Sequence, residues 1–392
     1  MAEPKILISA GEASGDLYAS ALTEALRRRI PDAEFFGCTG HRMREAGVRT
    51  IVDASDLAVV GLVEVVAHIP RIYKEFRKLV DAAGKERPAI AILTDSPDFH
   101  LRLARKLNRL GVPVVYLVAP QVWAWRKGRI RAMRRSLARV LCIFPFEEAF
   151  FRANGVKADY IGHPLTRIVR PTLSKYAFLR KHGIDGSRQL VTVLPGSRVG
   201  EISRHLKPLR DAAQRLHEWT GATMVLAAPA NFSAKAGHSF FKERLGSAPI
   251  QVIEGETWDA IAHSDLALAA SGTVTVETAI LGTPMVTFYR VTGLSWLMGR
   301  LLVKVPFYSM VNLIAERKIV PELMQNQFTG PELAREALRF LQSPSAADEM
   351  RSHLADVRAK LSTREDPIER AADIVIEHLQ TELDKKESVH GS

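Results

Sequence analysis

The chain has 392 residues, of which 47% are hydrophobic and 25% charged, and its formal net charge is +11. This length and balance predict a globular protein of about two domains, and no uncharged apolar run reaches the ~18 residues of a membrane-spanning helix. Two widely separated cysteines, Cys38 and Cys142, and the absence of a signal-peptide pattern lead us to expect a reduced, cytoplasmic protein without a metal cluster.

The first half of the chain alternates predicted strands and helices. Near-continuous apolar strands between helices indicate a parallel sheet that is covered on both faces. The predicted strands are Lys5–Ala10, Glu34–Cys38, Ala89–Thr94, Val112–Val118, Ala138–Ile143 and Asp159–Ile161. The predicted helices are Leu17–Arg29, Pro70–Ala83, Phe99–Leu110, Arg126–Ser136 and Phe146–Ala153. The pattern breaks from Gly162 to Pro171, where we place a linker.

The same alternation restarts after the linker. The predicted strands are Gln189–Leu194, Thr223–Ala228, Gln251–Ile253, Leu266–Ala269 and Met285–Phe288. The predicted helices are Ser203–Trp219, Phe232–Leu245, Trp258–Ala262, Thr275–Leu281, Pro331–Leu341, Ala346–Leu361 and Pro367–Asp384. We therefore expect an α/β fold of two Rossmann-like, doubly wound domains facing a central cleft, with C-terminal helices crossing back. The expected domains are 1–163 and 172–365, and the segment 366–392 is a helix on the first domain with a disordered tail from Lys385.

The first predicted strand ends in a loop of small residues, Gly11-Glu12-Ala13-Ser14-Gly15-Asp16. Such a loop presents backbone N–H groups and a positive helix end to a ligand at the carboxyl edge of the strand. Its spacing is not that of a dinucleotide site, and the carboxylate of Glu12 favours contacts with hydroxyls over phosphate. The alternative is that Glu12 and Ser14 only cap the helix.

The segment Leu62–Leu79 has more apolar residues than one buried helix face needs, and basic residues flank them. This pattern predicts either a helix that dips into a membrane interface or a core helix.

Asp95 and Asp98 follow the predicted strand Ala89–Thr94. A carboxylate at this place is a candidate general base for attack by a sugar hydroxyl on an anomeric carbon. Two alternatives remain open: the pair could hold Mg²⁺, or Asp98 could cap the following helix.

The residues from Phe99 to Phe146 carry the whole excess of positive charge. They include no Asp or Glu and these basic residues: Arg102, Arg105, Lys106, Arg109, Arg126, Lys127, Arg129, Arg131, Arg134, Arg135 and Arg139. Such a segment indicates an anionic partner, which could be a nucleic acid, an anionic membrane or a phosphorylated substrate. Within it, Trp123 and Arg126 belong to a Trp-Ala-Trp-Arg run that could stack bases, bind a phosphosugar or pack the domain.

Two turns in the second half predict a phosphate site. The turn Gly196-Ser197-Arg198 offers N–H and hydroxyl donors with a cation suited to a diphosphate. The turn Ser271-Gly272-Thr273 can hold a phosphate in the same way, and Glu277 one helical turn later can accept bonds from both hydroxyls of a ribose. An ordinary capped helix is the alternative. Further on, Asn312 is a polar residue in an apolar stretch and is predicted to face the cleft.

Taken in order, these motifs resemble the lipid-A-disaccharide synthase family from about Lys5 to about Leu379. The resemblance implies a GT-B glycosyltransferase that needs neither a cofactor nor an essential metal. It would transfer 2,3-diacylglucosamine from UDP, with inversion, to 2,3-diacylglucosamine 1-phosphate at the cytoplasmic face of the inner membrane, which it would contact through Leu62–Leu79. The donor and acceptor would be its partners, nucleic acid would not, and a homodimer is left open.

The resemblance also assigns roles to residues. Asp95 would be the base, Arg198 the diphosphate contact and Glu277 the ribose clamp, while Glu12 and Asn312 match residues important for activity. The expected substrate contacts are Gly11, Ser14, Gly15, Asp98, Trp123, Arg126, Gly196, Ser197, Ser271, Gly272, Thr273, Glu277 and Asn312. One departure is His100, which stands where the family pattern leads us to expect Asn.

Three other functions are compatible with parts of this pattern. The first is another UDP-sugar enzyme of the same fold, either a transferase using a peptidoglycan precursor or a UDP-sugar 2-epimerase. The second is a basic nucleic-acid-binding protein, whose affinity would fall steeply with salt. The third is a catalytically silent lipid-binding module.

Overall fold

A computed structural model describes residues 3–57, 62–123, 128–293 and 305–390, with side chains described for all of these except 62–69 and 382–390. The chain divides into two compact units. The first comprises Met1–Pro164 and Leu361–Ser392, and the second comprises Leu165–Lys360.

The described part of the first unit has one parallel sheet. Its strands are β1 (Lys5–Ala10), β2 (Glu34–Thr39), β3 (Arg49–Asp53), β4 (Ile90–Thr94), β5 (Val114–Leu117), β6 (Arg139–Cys142) and β7 (Ala158–Tyr160), in the order β3-β2-β1-β4-β5-β6-β7. Its helices are α1 (Ala13–Arg29), α2 (His41–Glu45), α3 (Leu62–Glu86), α4 (Pro97–Arg109), α5 (Arg129–Ser136) and α6 (Pro145–Ala153). The strand order reverses between β1 and β4, and a crevice forms at the carboxyl ends of such a pair.

The described part of the second unit repeats this plan. Its strands are β8 (Leu190–Leu194), β9 (Thr223–Ala228), β10 (Ile250–Glu254), β11 (Leu266–Ala270), β12 (Met285–Tyr289) and β13 (Glu322–Met324), in the parallel order β10-β9-β8-β11-β12-β13. Its helices are α7 (Leu165–Ile168), α8 (Lys175–His182), α9 (Val199–Thr220), α10 (Phe232–Ala236), α11 (Phe240–Leu245), α12 (Thr257–His263), α13 (Thr273–Leu281), α14 (Met310–Ala315), α15 (Gly330–Gln342) and α16 (Pro344–Leu361). The order reverses between β8 and β11.

The predicted fold class, two parallel-sheet Rossmann-like domains, is confirmed, and the burial pattern explains why. The central strands β1, β4 and β8 are buried along almost their whole length, as continuous apolar runs in a covered parallel sheet must be. The helices are amphipathic instead. In α4, Leu103 and Leu107 are buried while Arg102 and Arg105 are exposed.

The last helix, α17 (Pro367–His390), packs against α1 in the first unit. Arg29 pairs with both Glu369 and Asp373 across this contact. The helix continues through His390, so the prediction of disorder from Lys385 is wrong for the backbone up to that residue. Lys and Glu favour helix, and this explains the continuation through the charged residues 385–387.

The sequence missed two strands and the short helices α2, α7, α8 and α14, and it joined two other short helices into one. β3 and β13 lie at sheet edges and carry only two apolar residues each, too few for a hydrophobic pattern to reveal them. The single helix predicted over Phe232–Leu245 is two short helices, because Gly237 has a φ of 99° that ends α10. In the described residues no helix is both long enough and apolar enough to cross a membrane.

Candidate active site

Two motifs of the first unit meet at the carboxyl edge of its sheet. Asp95 follows β4 directly and has a φ of 55°, in the left-handed region. Its carboxylate accepts hydrogen bonds from the backbone N–H groups of Gly11 at 2.8 Å and Glu12 at 3.0 Å, in the loop after β1. Because β1 and β4 are neighbouring parallel strands, loops 84 residues apart in sequence converge here.

The close approach of this loop requires glycine. A Cβ added to Gly15 would lie 1.7 Å from Asp95 Oδ2, and one added to Gly11 would lie 2.5 Å from Ser96 Oγ. Gly11 and Gly15 therefore act by leaving room for the carboxylate, and any side chain at either place displaces Asp95 or Ser96.

We expect Gly15→Ala to lower kcat about a hundredfold, because it pushes the Asp95 carboxylate aside and a shift of ~1 Å in a reacting group has an effect of that size. The measurement is kcat together with the melting temperature. Gly84→Ala is the matched control: Gly84 is also helical, and nothing lies within 4 Å of an added Cβ. It should keep kcat and gain roughly 0.5 kcal/mol of stability. A Gly15→Ala enzyme within threefold of wild-type kcat would contradict the steric role.

The main chain of Asp95 is held by buried side chains. The phenol of Tyr116 donates to the carbonyl oxygen of Asp95, and Nδ1 of His100 lies 3.0 Å from the same oxygen. A carbonyl only accepts, so Nδ1 carries the proton and Nε2 accepts from the hydroxyl of Ser9 at 2.8 Å. Burial lowers the pKa of His100 to about 4, which keeps it neutral. His100, where we expected Asn, supplies the N–H that keeps Asp95 in its left-handed conformation.

The carboxyl group of Asp95 has an unusual environment. Burial raises its pKa to about 8, the nearby charge of Glu12 acts in the same direction, and the N–H groups of Gly11 and Glu12 act against it. A general base works best when its pKa is close to the working pH, so this carboxylate suits proton abstraction. The side chain of Glu12 is exposed beside it and makes no capping bond to α1, contrary to the capping alternative.

Other predicted residues of the first unit differ in setting. Asp98 is 65% exposed and pairs with Arg129, and Ser14 is half-buried on the first turn of α1. Asp16 accepts from three N–H groups at the start of α2 and is structural. In the described residues, no cluster of three or more potential ligands could hold a metal. The carboxylate of Asp95 accepts from Gly11 and Glu12, and that of Asp98 pairs with Arg129.

The indole of Trp123 contacts two residues of α6. Its indole N–H donates to Oε1 of Glu147 at 3.0 Å, and its ring packs edge-on against Phe146 with centroids 4.9 Å apart. Glu147 is fully buried, and burial raises its pKa to about 8. Arg126 lies outside the described residues. The one tryptophan of this run that is described thus packs the domain with its indole N–H engaged.

The described basic residues between Phe99 and Phe146 differ in their partners. Arg129 and Arg139 pair with Asp98 and Asp159. The remaining described members are exposed on α4 and α5, and no described carboxylate pairs with them: Arg102, Arg105, Lys106, Arg109, Arg131, Arg134 and Arg135. The anionic partner of these seven residues therefore stays a prediction.

In the second unit, the turn Ser271-Gly272-Thr273 follows β11 and opens α13. The hydroxyl of Ser271 donates to the carbonyl of Tyr308 at 2.9 Å, and Gly272 occupies the N-cap position without a side-chain bond. The exposed first turn of a helix leaves N–H groups for an anion. Glu277 lies one turn further on, where its Oε2 accepts from the indole of Trp258 at 2.9 Å.

The turn Gly196-Ser197-Arg198 follows β8, the sheet neighbour of β11, so the two turns share one edge. Here the backbone N–H groups of Ser197 and Arg198 donate to Glu201 at 3.0 and 3.4 Å. A carboxylate of the chain thus takes these two N–H groups in this structure, and the diphosphate contact of the turn stays a prediction. The hydroxyl of Ser197 and the guanidinium of Arg198 also belong to this predicted contact.

Asn312 does not face a cleft. It is fully buried in α14, and its amide makes four hydrogen bonds: Nδ2 donates to the carbonyl of Val320 and to Glu322, and Oδ1 accepts from Ile319 and Val320. Glu322 in turn accepts from the backbone N–H groups of Tyr308 and Ser309. Asn312 therefore fixes the segment whose Tyr308 carbonyl receives the Ser271 hydroxyl.

Sequence reasoning missed Tyr116, Glu147, Trp258 and Glu322 as site-forming residues. Tyr116 lies within an apolar strand and Trp258 at the start of a short helix, so no local pattern distinguished them from core residues. The partners of Tyr116, Glu147 and Trp258 lie 19 to 24 residues away in the sequence. Glu322 and its partner Tyr308 are 14 residues apart.

Two Rossmann-like units with parallel sheets and polar loops at the carboxyl ends of their central strands have the GT-B fold. A model of the lipid-A-disaccharide synthetase family matches residues 6–375, and the chain belongs to this family.

Relatives and folds agree with that assignment. The chain is 65% identical over 97% of its length to a lipid-A-disaccharide synthase of Solibacter usitatus (strain Ellin6076), covering 99% of that protein, and 44% identical to one of Koribacter versatilis (strain Ellin345), covering 95% of this chain and 98% of that one. A UDP-GlcNAc 2-epimerase from Neisseria meningitidis shares the fold at 12% identity, with a TM-score of 0.64 over 96% of this chain and 100% of that chain. The calicheamicin glycosyltransferase CalG4 does so at 14% identity, with a TM-score of 0.61 over 97% and 99%.

Proposed function

We propose that this enzyme transfers 2,3-diacylglucosamine from UDP to 2,3-diacylglucosamine 1-phosphate and releases UDP. The family supplies the reaction type. The observation that carries the proposal is the carboxylate of Asp95, held by the N–H groups of Gly11 and Glu12 with a pKa raised to about 8. A sugar hydroxyl needs such a base when it attacks an anomeric carbon.

In the proposed step, Asp95 takes the proton of the acceptor's primary hydroxyl as that oxygen forms its bond to the anomeric carbon. The bond from this carbon to the diphosphate oxygen breaks, the configuration inverts, and UDP leaves with the electron pair. Arg198 would stabilise the charge that develops on the diphosphate. The turn Ser271-Gly272-Thr273 would hold a phosphate, and Glu277 would accept from the ribose hydroxyls.

The test is UDP release from UDP-2,3-diacylglucosamine, with and without the acylated glucosamine 1-phosphate, in detergent with EDTA. Acceptor-dependent UDP and a phosphorylated disaccharide support the proposal, and activity in EDTA excludes an essential divalent metal. Release of an epimerised sugar without acceptor would favour a 2-epimerase. Tight UDP binding without turnover would leave the donor site and reject this acceptor.

The proposed membrane contact through Leu62–Leu79 is extended here to exposed residues beside that segment. In the segment Leu62–Leu79, Leu79 is fully buried and Phe76 packs edge-on against Phe99, so these two residues belong to the core face of α3. The side chains of residues 62–69 lie outside the described residues. Tyr73 is 59% exposed on α3, which packs against α4. We propose that the exposed basic faces of α4 and α5, with Tyr73, bind anionic lipid at the cytoplasmic face of the inner membrane.

We expect reversal of the four α4 charges (Arg102, Arg105, Lys106 and Arg109, each to Glu) to reduce binding to anionic vesicles at least tenfold, because each basic residue near such a surface contributes ~1 kcal/mol. Cosedimentation at two salt concentrations measures it. The control reverses four exposed lysines and arginines of the second unit, Lys175, Arg180, Lys235 and Lys242. Equal loss in both variants would reject a localised lipid-binding face.

A further inference from the structure

Trp258 and Glu277 form a part-buried pair, and the proposed reaction uses only Glu277 of the two. Trp258 opens α12 and Glu277 lies on α13, and these two helices pack against each other. The indole N–H of Trp258 donates to Oε2 of Glu277 at 2.9 Å. This bond joins two helices whose paired residues are 19 positions apart.

The ionisation and the orientation of the Glu277 carboxylate both depend on this bond. Burial raises the pKa of the Glu277 carboxyl group, and the hydrogen bond from Trp258 acts against that rise by stabilising the ionised form. A charge-assisted bond to one carboxylate oxygen also limits rotation of the group, so the other oxygen has a defined direction. A side chain with several rotamers thereby becomes a preorganised acceptor before any ligand arrives.

We propose that Trp258 is a positioning residue for nucleotide recognition: by fixing Oε2 of Glu277, it orients that carboxylate toward the ribose hydroxyls of the UDP-sugar. The inference rests on the proposed role of Glu277 as the ribose contact and adds the residue that sets its geometry. Trp258 acts through Glu277 and is not itself a catalytic residue. The specific consequence is that Trp258 contributes to binding of ribose hydroxyls and not to binding of the rest of the nucleotide.

The experiment compares the Kd of UDP with that of 2′-deoxy-UDP by titration calorimetry, in wild type and Trp258→Phe. Phenylalanine keeps an aromatic ring at this place but has no N–H to donate. We expect wild type to prefer UDP by about tenfold or more, since a hydroxyl bond to a charged group is worth at least that factor. In Trp258→Phe the preference should fall to about threefold or less, with the Kd of 2′-deoxy-UDP unchanged.

Two further variants serve as a matched control and as the reference for complete loss of the preference for UDP. Trp219→Phe, at a 48% exposed tryptophan on α9, is the matched control and should keep the wild-type preference. Glu277→Gln should abolish the preference. Should Trp258→Phe fail to fold, benzothienylalanine at position 258 replaces only the N–H by sulfur within the same shape and takes its place in the comparison.

Each outcome tests either the ribose contact of Glu277 or the role of Trp258. If wild type binds both nucleotides equally, the proposed ribose contact of Glu277 fails, and this inference fails with it. If wild type and Glu277→Gln behave as expected but Trp258→Phe keeps the full preference, only the role of Trp258 is overturned. If Trp258→Phe weakens both nucleotides by the same factor, Trp258 has a packing role and the inference is rejected.

Discussion

Asp95→Asn is expected to lower kcat about a thousandfold while UDP binding stays within a few-fold of wild type. General base catalysis typically contributes between about 10² and 10⁴ to the rate, and the amide cannot take up the proton of the attacking hydroxyl. Asparagine still offers one carbonyl oxygen to the N–H groups of Gly11 and Glu12, which favours folding. Single-turnover rates and calorimetric UDP binding measure the two parts.

The pH dependence of kcat/KM also tests Asp95 as the base. A base must be ionised to act, and burial raises the pKa of Asp95 to about 8. Wild-type kcat/KM should therefore rise as the pH increases toward about 8 and level off above it. Asp32→Asn, at an exposed carboxylate in the loop between α1 and β2, should keep both rate and profile. Near-normal turnover in Asp95→Asn with an unchanged acid limb would assign the proton to another group.

Asn312→Ala is expected to destabilise the second unit by about 3–5 kcal/mol. The substitution strands the N–H groups of Ile319 and Val320 and removes two bonds to Val320 and Glu322, all at a fully buried place. Buried polar groups left without partners cost roughly 1–3 kcal/mol each. Urea unfolding followed by circular dichroism gives the change, and loss of activity should follow the loss of folded protein.

The comparison with a surface amide makes this test specific. Asn326→Ala, at an exposed residue just after β13, should change stability by less than ~0.5 kcal/mol. An Asn312→Ala enzyme that unfolds like wild type yet has lost turnover would show that Asn312 contacts substrate, as the family resemblance suggested. The structure instead leads us to expect that Asn312→Ala lowers stability and that turnover is lost because the protein unfolds.

The sequence predicted the central strands well because they are long apolar runs bounded by turns. β1 and β9 begin and end at the predicted residues, and most other strands differ by one or two. The edge strands β3 and β13 were missed for a physical reason. A strand at a sheet edge is held by backbone bonds to one neighbour and needs few apolar side chains, so its sequence resembles a loop.

Within the candidate site, the sequence located loops better than it assigned roles. The loop of Gly11 and the residue Asp95 were both predicted at strand ends, and the structure joins them by hydrogen bonds. Asn312 was predicted to face a cleft because a polar residue interrupts an apolar run. Its actual setting is equally polar but internal, and a local pattern cannot distinguish a buried, satisfied amide from an exposed one.

The sequence by itself determined the alternation of strands and helices, the places where polar loops end strands, and the family. These depend on periodicity and on residues close together in the chain. Tertiary structure alone decided that the Asp95 carboxylate bonds to the Gly11 loop, that His100 and Tyr116 hold its main chain, and that Trp258 reaches Glu277. Those contacts arise when parallel neighbours bring distant strand ends to one edge, and burial then sets their pKa values and hydrogen bonds, which no local spacing encodes.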